Sequence, residues 1–303
     1  MPEGVCRRAC AGGRRGSHCA PPHAPVSPPA PRDVPPRPGW RSRRVGGVSE
    51  TAQDSTRVPW VVGVSGASGT PYAAAVLRGL LAAGEDVDLV VSRAARLTLL
   101  DETGEPFRDA HWRADLERWL ARGADGTPDA FTSELKSSGA LDEPLDEPLD
   151  GPPPGGPGVG RVRYWAAGDL AAGPSSGSYP TRGMLIVPAS TACVAGVALG
   201  LSKDLLQRVA SVTLKERRPL VVAVRETPLA GTTLRQLVAL DEAGAVVLPA
   251  SPAFYAGATH IQHLVDFVAG RVLDAAGVRH DLYRRWKGQL GGARTAVSGH
   301  SDD

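Results

Sequence analysis

Residues 58–77 read VPWVVGVSGASGTPYAAAVL, and the order of residue types in this stretch decides the architecture. Val58–Val64 is a short apolar run rich in β-branched residues, the pattern of a strand buried on both faces. A glycine-rich turn, Ser65–Gly69, follows. Pro71 stands where the first turn of a helix tolerates it, and apolar residues continue to Ala83, where Gly84 ends the helix. Strand, tight turn and helix in that order open a parallel sheet with crossover helices.

The alternation continues outward. Val87–Val91 is a second strand and Arg93–Glu102 a helix. Further on, Arg161–Trp165, Gly183–Pro188, Leu220–Arg225 and Ala245–Pro249 read as strands. Thr191–Gly200, Lys203–Arg217, Thr232–Ala243 and Thr259–Ala276 read as helices between and after them. The predicted fold class is α/β, one doubly wound parallel sheet over about residues 58–286, with ligands at the carboxyl ends of the strands.

Three segments stand outside this pattern. Residues 1–57 hold ten Arg against four acids, together with ten Pro, and read as a disordered extension. Residues 104–160 are rich in Pro, Gly, Asp and Glu and contain the repeat LDEPLDEPLD at 141–150. They read as a low-complexity insertion in which Trp112–Leu120 carries a helical pattern and 123–160 is a solvated loop. Residues 287–303 read as a flexible tail.

Composition excludes several classes. The whole chain carries +2 and residues 1–57 alone +6, so the remainder is mildly acidic. That basic arm has one aromatic residue, Trp40, which argues against stacking readout of nucleic acid. Cys6, Cys10 and Cys19 form no paired C-x-x-C and have no apolar run around which a metal site could fold, so no metal is expected. Cys193 stands alone in an apolar segment, as suits a reducing cytoplasm. With no run of ~18 apolar residues and no secretory h-region, a cytoplasmic protein without membrane contact is expected.

The chemistry sits at the strand ends. SGASG at 65–69 is neither G-x-G-x-x-G nor a Walker loop, so it suits a monophosphate or the polar part of a flavin better than a dinucleotide. The following helix N-terminus offers N–H groups to an anion. Ser92 reads as an N-cap, and Ser190 or Thr191 reads either as a cap or as part of a ligand site. Arg225 and Glu226 end an apolar strand, where a charged pair is costly unless paired or used; arginine there suits phosphate and a carboxylate beside it suits proton transfer.

Together SGASG (65–69), SSGS (175–178), VPAST (187–191), LKERRPLVVAVRETPL (214–229), GAVVLPASPAFY (244–255) and LVDFVAGRVLDAAGV (264–278) resemble the flavin prenyltransferases of the UbiX type. The resemblance implies a Rossmann-like, flavodoxin-like subunit in a homododecamer. It implies transfer of the dimethylallyl group of dimethylallyl phosphate to reduced FMN, with the prenylated FMN passed to a UbiD-type decarboxylase. By resemblance Gly66, Ala67, Ser68, Ser92, Ser190, Thr191, Ala192, Cys193 and Arg225 hold FMN. Lys215, Tyr255 and Arg271 hold the prenyl phosphate, and Ser68, Glu102, Ser176, Glu226 and Trp286 take part in catalysis; Arg208 lies nearby. Cys193 stands where a small hydroxyl residue is expected, which leaves its backbone N–H as its contact.

Two rival readings use the same fold. A flavin-dependent cysteine decarboxylase relies on a histidine in the first half of the fold, but His111, inside the 104–160 segment, is the only histidine between residues 24 and 259. A non-catalytic FMN-binding protein needs no joint presence of Lys215, Glu226, Tyr255 and Arg271.

Overall fold

A computed structural model describes residues 57–129, 159–255 and 257–286. Six strands form one wholly parallel sheet: β1 (Trp60–Val64), β2 (Val87–Val91), β3 (Val162–Ala166), β4 (Gly183–Ala189), β5 (Leu220–Val224) and β6 (Val246–Pro249). Their order is β3-β2-β1-β4-β5-β6, so the direction of winding reverses between β1 and β4. Seven α-helices accompany them among the described residues: α1 (Thr70–Ala82), α2 (Arg93–Thr103), α3 (Trp112–Leu120), α4 (Thr191–Ala198), α5 (Leu205–Lys215), α6 (Gly231–Glu242) and α7 (Ile261–Ala276).

The period of two along each central strand builds two cores. Val62, Val64, Leu185, Val187, Val221 and Ala223 face α1 and α7, while Val61, Met184, Ile186, Val222 and Val224 face α4 and α5. Burying both faces is why these strands read as continuous apolar runs. β6 is an exception: it closes the sheet as a four-residue edge strand and is partly exposed.

The segment expected to be a low-complexity insertion begins as packed structure. Phe107, Trp112, Leu116, Trp119 and Leu120 join the α1 core, and Phe107 meets Trp119 and Tyr164 edge-on at 6.3 and 5.4 Å. Composition averaged over residues 104–160 hid this aromatic anchor; residues 130–158, with the LDEP repeat, lie outside the described residues. The expected extension 1–56 and tail 287–303 also lie outside them.

Candidate active site

The turns after β1 and β4 meet where the winding reverses. Ser65 Oγ donates to the Pro188 carbonyl at 2.8 Å and accepts from the Ser190 N–H at 2.7 Å, tying one turn to the other. Gly66 has no alternative here, because a Cβ would stand 2.4 Å from Ala94 Cβ at the start of α2. Gly69 has φ +116°, which favours glycine, and lies under the Tyr72 ring.

The serines predicted here act first as caps. Ser92 Oγ accepts from the Ala95 N–H at 3.1 Å and Ser190 Oγ from the Cys193 N–H at 3.3 Å. The Cys193 N–H expected to serve a ligand is therefore already engaged. Burial, then the charge of Asp204, push the Cys193 thiol up to about 12 against a hydrogen bond from Ser65, so this side chain is a neutral packing group. The first-turn N–H groups of Thr191 and Ala192 have no partner within α4 and remain for a ligand.

The N-terminus of α1 was expected to receive an anionic ligand, but Glu102 from the end of α2 already occupies it. Its Oε1 accepts from the Gly69 N–H at 2.8 Å, and its Oε2 accepts from the Thr70 N–H at 2.8 Å and the Thr70 hydroxyl at 2.6 Å. Burial raises the pKa of this carboxyl, but hydrogen bonds from Thr70, Ser68 and Gly69 outweigh it, and the result lies below the usual value. Glu102 is thus an ionised acceptor that holds the turn carrying Ser68. No sequence-local signal links residues 69 and 102.

Arg225 and Glu226 follow β5 at the same edge. The expectation of a costly buried pair is not met in the single chain: both are exposed, and among the described residues neither makes a salt bridge. The Arg225 side chain reaches back to within 3.9 Å of the position a Cβ on Gly69 would take. Tyr72 is nearby: burial raises its phenol pKa, while Arg225 lowers it and Glu102 adds to the rise. Tyr72 and Thr70 were missed from the sequence because both read as ordinary first-turn residues of α1.

A second group of candidates lies at the other end of the sheet. Lys215 ends α5 just before β5 begins, and Ser176 lies in the loop that leads into β4. Arg208 Nε donates to the Ser175 carbonyl at 3.0 Å, and Arg218 donates to the carbonyls of Gly177 and Tyr179 at 2.7 and 2.9 Å. Behind the loop, Tyr179 donates to Asp88 at 2.8 Å, deep within β2. Asp88 is fully buried and also accepts from Arg163 at 3.1 Å and Trp165 at 3.0 Å. Lys215 is exposed and pairs with Glu216.

A third group gathers around α7, with Arg271 on the helix, Tyr255 before it and Trp286 after it. Tyr255 meets Phe267 and Trp286 edge-on, each at 5.7 Å, and Arg271 Nη1 bonds Asp274 at 2.9 Å. Tyr255, Arg271 and Trp286 are all exposed in the single chain.

The groups at the two sheet edges cannot meet within one chain. Lys215 precedes β5 and Arg225 follows it, and five strand residues span about 17 Å. A phosphate touching both needs the amino edge of one subunit set against the carboxyl edge of another.

The Flavoprotein family model matches residues 48–273. The flavin prenyltransferase UbiX of Streptomyces coelicolor is 76% identical over 237 residues, 78% of this chain and 99% of that protein. UbiX of Synechocystis is 36% identical over 77% of this chain and 98% of its own length. Among solved structures, AnUbiX in complex with FMN and dimethylallyl pyrophosphate is similar with a TM-score of 0.59 and 30% identity, covering 77% of this chain and 99% of that one. A dodecameric FMN-dependent UbiX-like decarboxylase of Escherichia coli O157:H7 gives a TM-score of 0.57 at 29% identity, covering 77% and 100%. With a family model spanning most of the described sheet and a relative this similar along its whole length, the chain belongs to the Flavoprotein family and, within it, to the flavin prenyltransferases of the UbiX type.

Proposed function

We infer that this chain is a flavin prenyltransferase that joins the dimethylallyl group of dimethylallyl phosphate to N5 and C6 of reduced FMN. The observation that carries this reading is the 76% identity to the Streptomyces coelicolor enzyme over nearly all of that protein. AnUbiX binds FMN and a dimethylallyl ester together, which supports both substrate classes.

The residues present fit the group. The carboxyl edge offers the first-turn N–H groups of α4, the Ser68 hydroxyl, the Gly66–Ala67 backbone and the Arg225 guanidinium, a set suited to a flavin and its phosphate. The neutral Cys193 thiol adds no charge beside the ring. As N5 bonds to C1 of the prenyl group, the C1–O bond breaks, phosphate leaves with the electron pair, and the proton that N5 carried passes to that phosphate. Lys215, Arg225 and Arg271 would stabilise that charge, with Tyr255 donating a hydrogen bond. Closing the ring at C6 requires one proton delivered to the alkene and one removed from the flavin carbon. Glu226 is exposed at the carboxyl edge and makes no salt bridge among the described residues, so it carries this work with the departing phosphate, while Glu102 holds Ser68 in place. The Trp286 face stabilises allylic positive charge.

A homo-oligomer, and a dodecamer specifically, completes the site. The E. coli relative is dodecameric. On the single chain Leu199, Leu201, Leu234, Val238 and Val246 are exposed, apolar surface that packing of further copies would cover. No helix among the described residues is long and apolar enough to cross a membrane. We place the enzyme in the cytoplasm, with a UbiD-type decarboxylase as recipient of the product.

Mass spectrometry of flavin extracted after single turnover with reduced FMN and dimethylallyl phosphate tests the activity; unmodified FMN would defeat it. Co-expression tests the shared site. Lys215→Ala and Arg225→Ala chains are each inactive alone, and random mixing restores about a quarter of the sites. No recovery in mixed oligomers would place all the catalytic groups within one subunit.

A further inference from the structure

We propose that Asp274 is a positioning residue for the prenyl-phosphate half of the site, latching the segment after α7 so that Arg271, Tyr255 and Trp286 present one surface. The proposal rests on the function inferred above. Asp274 lies in the last turn of α7, two residues before the helix ends. Its carboxylate collects four groups: Arg271 Nη1 at 2.9 Å, the Tyr283 hydroxyl at 2.6 Å, His280 Nε2 at 3.1 Å and Arg285 Nη2 at 2.8 Å. An ionised carboxylate has about four acceptor positions, so this one is saturated.

The segment it gathers has no regular structure of its own. Gly277 ends α7 with φ +73°, and residues 278–286 turn back along the helix. A slot receives them: a Cβ on Gly270 would stand 2.5 Å from the Tyr283 ring and 2.7 Å from the His280 ring. Tyr283 rests on Phe267 at 4.9 Å, Phe267 on Tyr255 at 5.7 Å, and Tyr255 on Trp286 at 5.7 Å. Asp274 therefore touches one phosphate ligand directly and reaches the other two residues through Tyr283 and Arg285.

Electrostatics agrees with a fixed latch. Burial raises the Asp274 pKa, but bonds from Arg285, Tyr283 and His280 outweigh it and hold the carboxyl at about 2. The carboxyl is therefore an anion at neutral pH. It restrains Arg271 through Nη1, which also reaches the Tyr283 hydroxyl at 3.5 Å, and leaves Nε and Nη2 for phosphate.

The test uses the full-length oligomer with FMN bound. In Asp274→Asn the shape is kept and the charge lost. The dissociation constant for dimethylallyl phosphate, by calorimetry, should rise about tenfold, the worth of one charge-assisted hydrogen bond. The KM for this substrate should rise in step, while FMN affinity and oligomer mass stay as in wild type. Asp274→Glu should recover part of the loss, and Tyr283→Phe should show a smaller rise of the same kind. Unchanged affinity for dimethylallyl phosphate in Asp274→Asn would overturn the proposal. So would a parallel loss of FMN binding, which marks a merely structural role. A wild type that binds both substrates without turnover defeats only the inferred function, and the affinity comparison still decides the latch. A wild type that does not bind dimethylallyl phosphate defeats both.

Discussion

The two ends of the sheet are built by different means. At the carboxyl end, backbone turns are held by small hydroxyls and one carboxylate: Ser92 caps residue 95, Ser190 caps residue 193, Ser65 ties the first turn to the Ser190 turn, and Glu102 holds residues 69 and 70. At the amino end, the loop bearing Ser176 is held by long charged side chains and a buried carboxylate. Arg218 binds carbonyls about forty residues away, and Tyr179 reaches Asp88 across 91 positions of sequence. The carboxyl end offers backbone N–H groups and hydroxyls with one guanidinium, which suits a large, mostly neutral ring. The amino end presents Lys215 beside a rigid loop, which suits a small, highly charged phosphate. On the function proposed above, one subunit carries half of each of two sites, and an oligomer joins the halves.

The largest effect should come from removing the carboxylate proposed for proton transfer at the carboxyl end. Glu226→Gln should lower single-turnover prenylation by ~10²–10⁴-fold with FMN binding and melting unchanged. A normal rate per bound flavin would erase the catalytic distinction between the two ends.

Next is the turn itself. Gly66→Ala places a methyl against Ala94, and overpacking of about 1–3 kcal/mol should weaken FMN binding by roughly ten- to a hundredfold. Flavin fluorescence titration reads this directly. An equal loss of dimethylallyl phosphate affinity in FMN-free protein would show that the two ends are not independent.

Tyr179→Phe probes the amino end. It removes one hydrogen bond to a buried carboxylate, so denaturant melting should lose roughly 1.5–3 kcal/mol while FMN affinity is unchanged. A variant as stable as wild type would mean that Asp88 and Tyr179 do not anchor the loop.

An acid titration should separate Asp274 from the rest of the fold by a smaller margin. Its folded pKa of about 2 lies below the ordinary carboxylate value of about 3.9, so its contribution is present above about pH 4 and lost as pH falls toward 2. Asp274→Asn should flatten that part of the stability curve; an unchanged acid limb would show that the four-partner hub adds no stability.

The smallest effect is expected from the basic arm. A chain beginning near Gln53 should prenylate FMN within about twofold of full length, because Arg- and Pro-rich sequence cannot bury the apolar area a site needs. Loss of activity in a folded, FMN-binding truncation would give the arm a role at one of the two ends.

Much of this was legible in the sequence. The strands and helices followed from apolar runs, from Pro71 and Gly84, and from serines ahead of helices, all signals within a few residues of each other. The Ser65–Gly69 turn, Ser92 and Ser190 were found this way, and so was the strand end bearing Arg225 and Glu226. The motif blocks then singled out Lys215, Tyr255, Arg271 and Trp286 as members of one site, though nothing in their spacing says where they lie.

The tertiary structure alone decided what each group touches. It set Glu102 on the N-terminus of α1, took the Cys193 N–H for a cap, and packed Phe107 and Trp112 from a segment that composition had marked as a low-complexity insertion. It also separated Lys215 from Arg225 by the length of β5, so the proposed phosphate site needs a second subunit. The division has one physical cause. Periodicity and capping are properties of neighbouring residues, so the chain states them locally. The partner of a buried carboxylate or guanidinium is chosen by packing between elements far apart in sequence, and only the folded sheet brings those elements together.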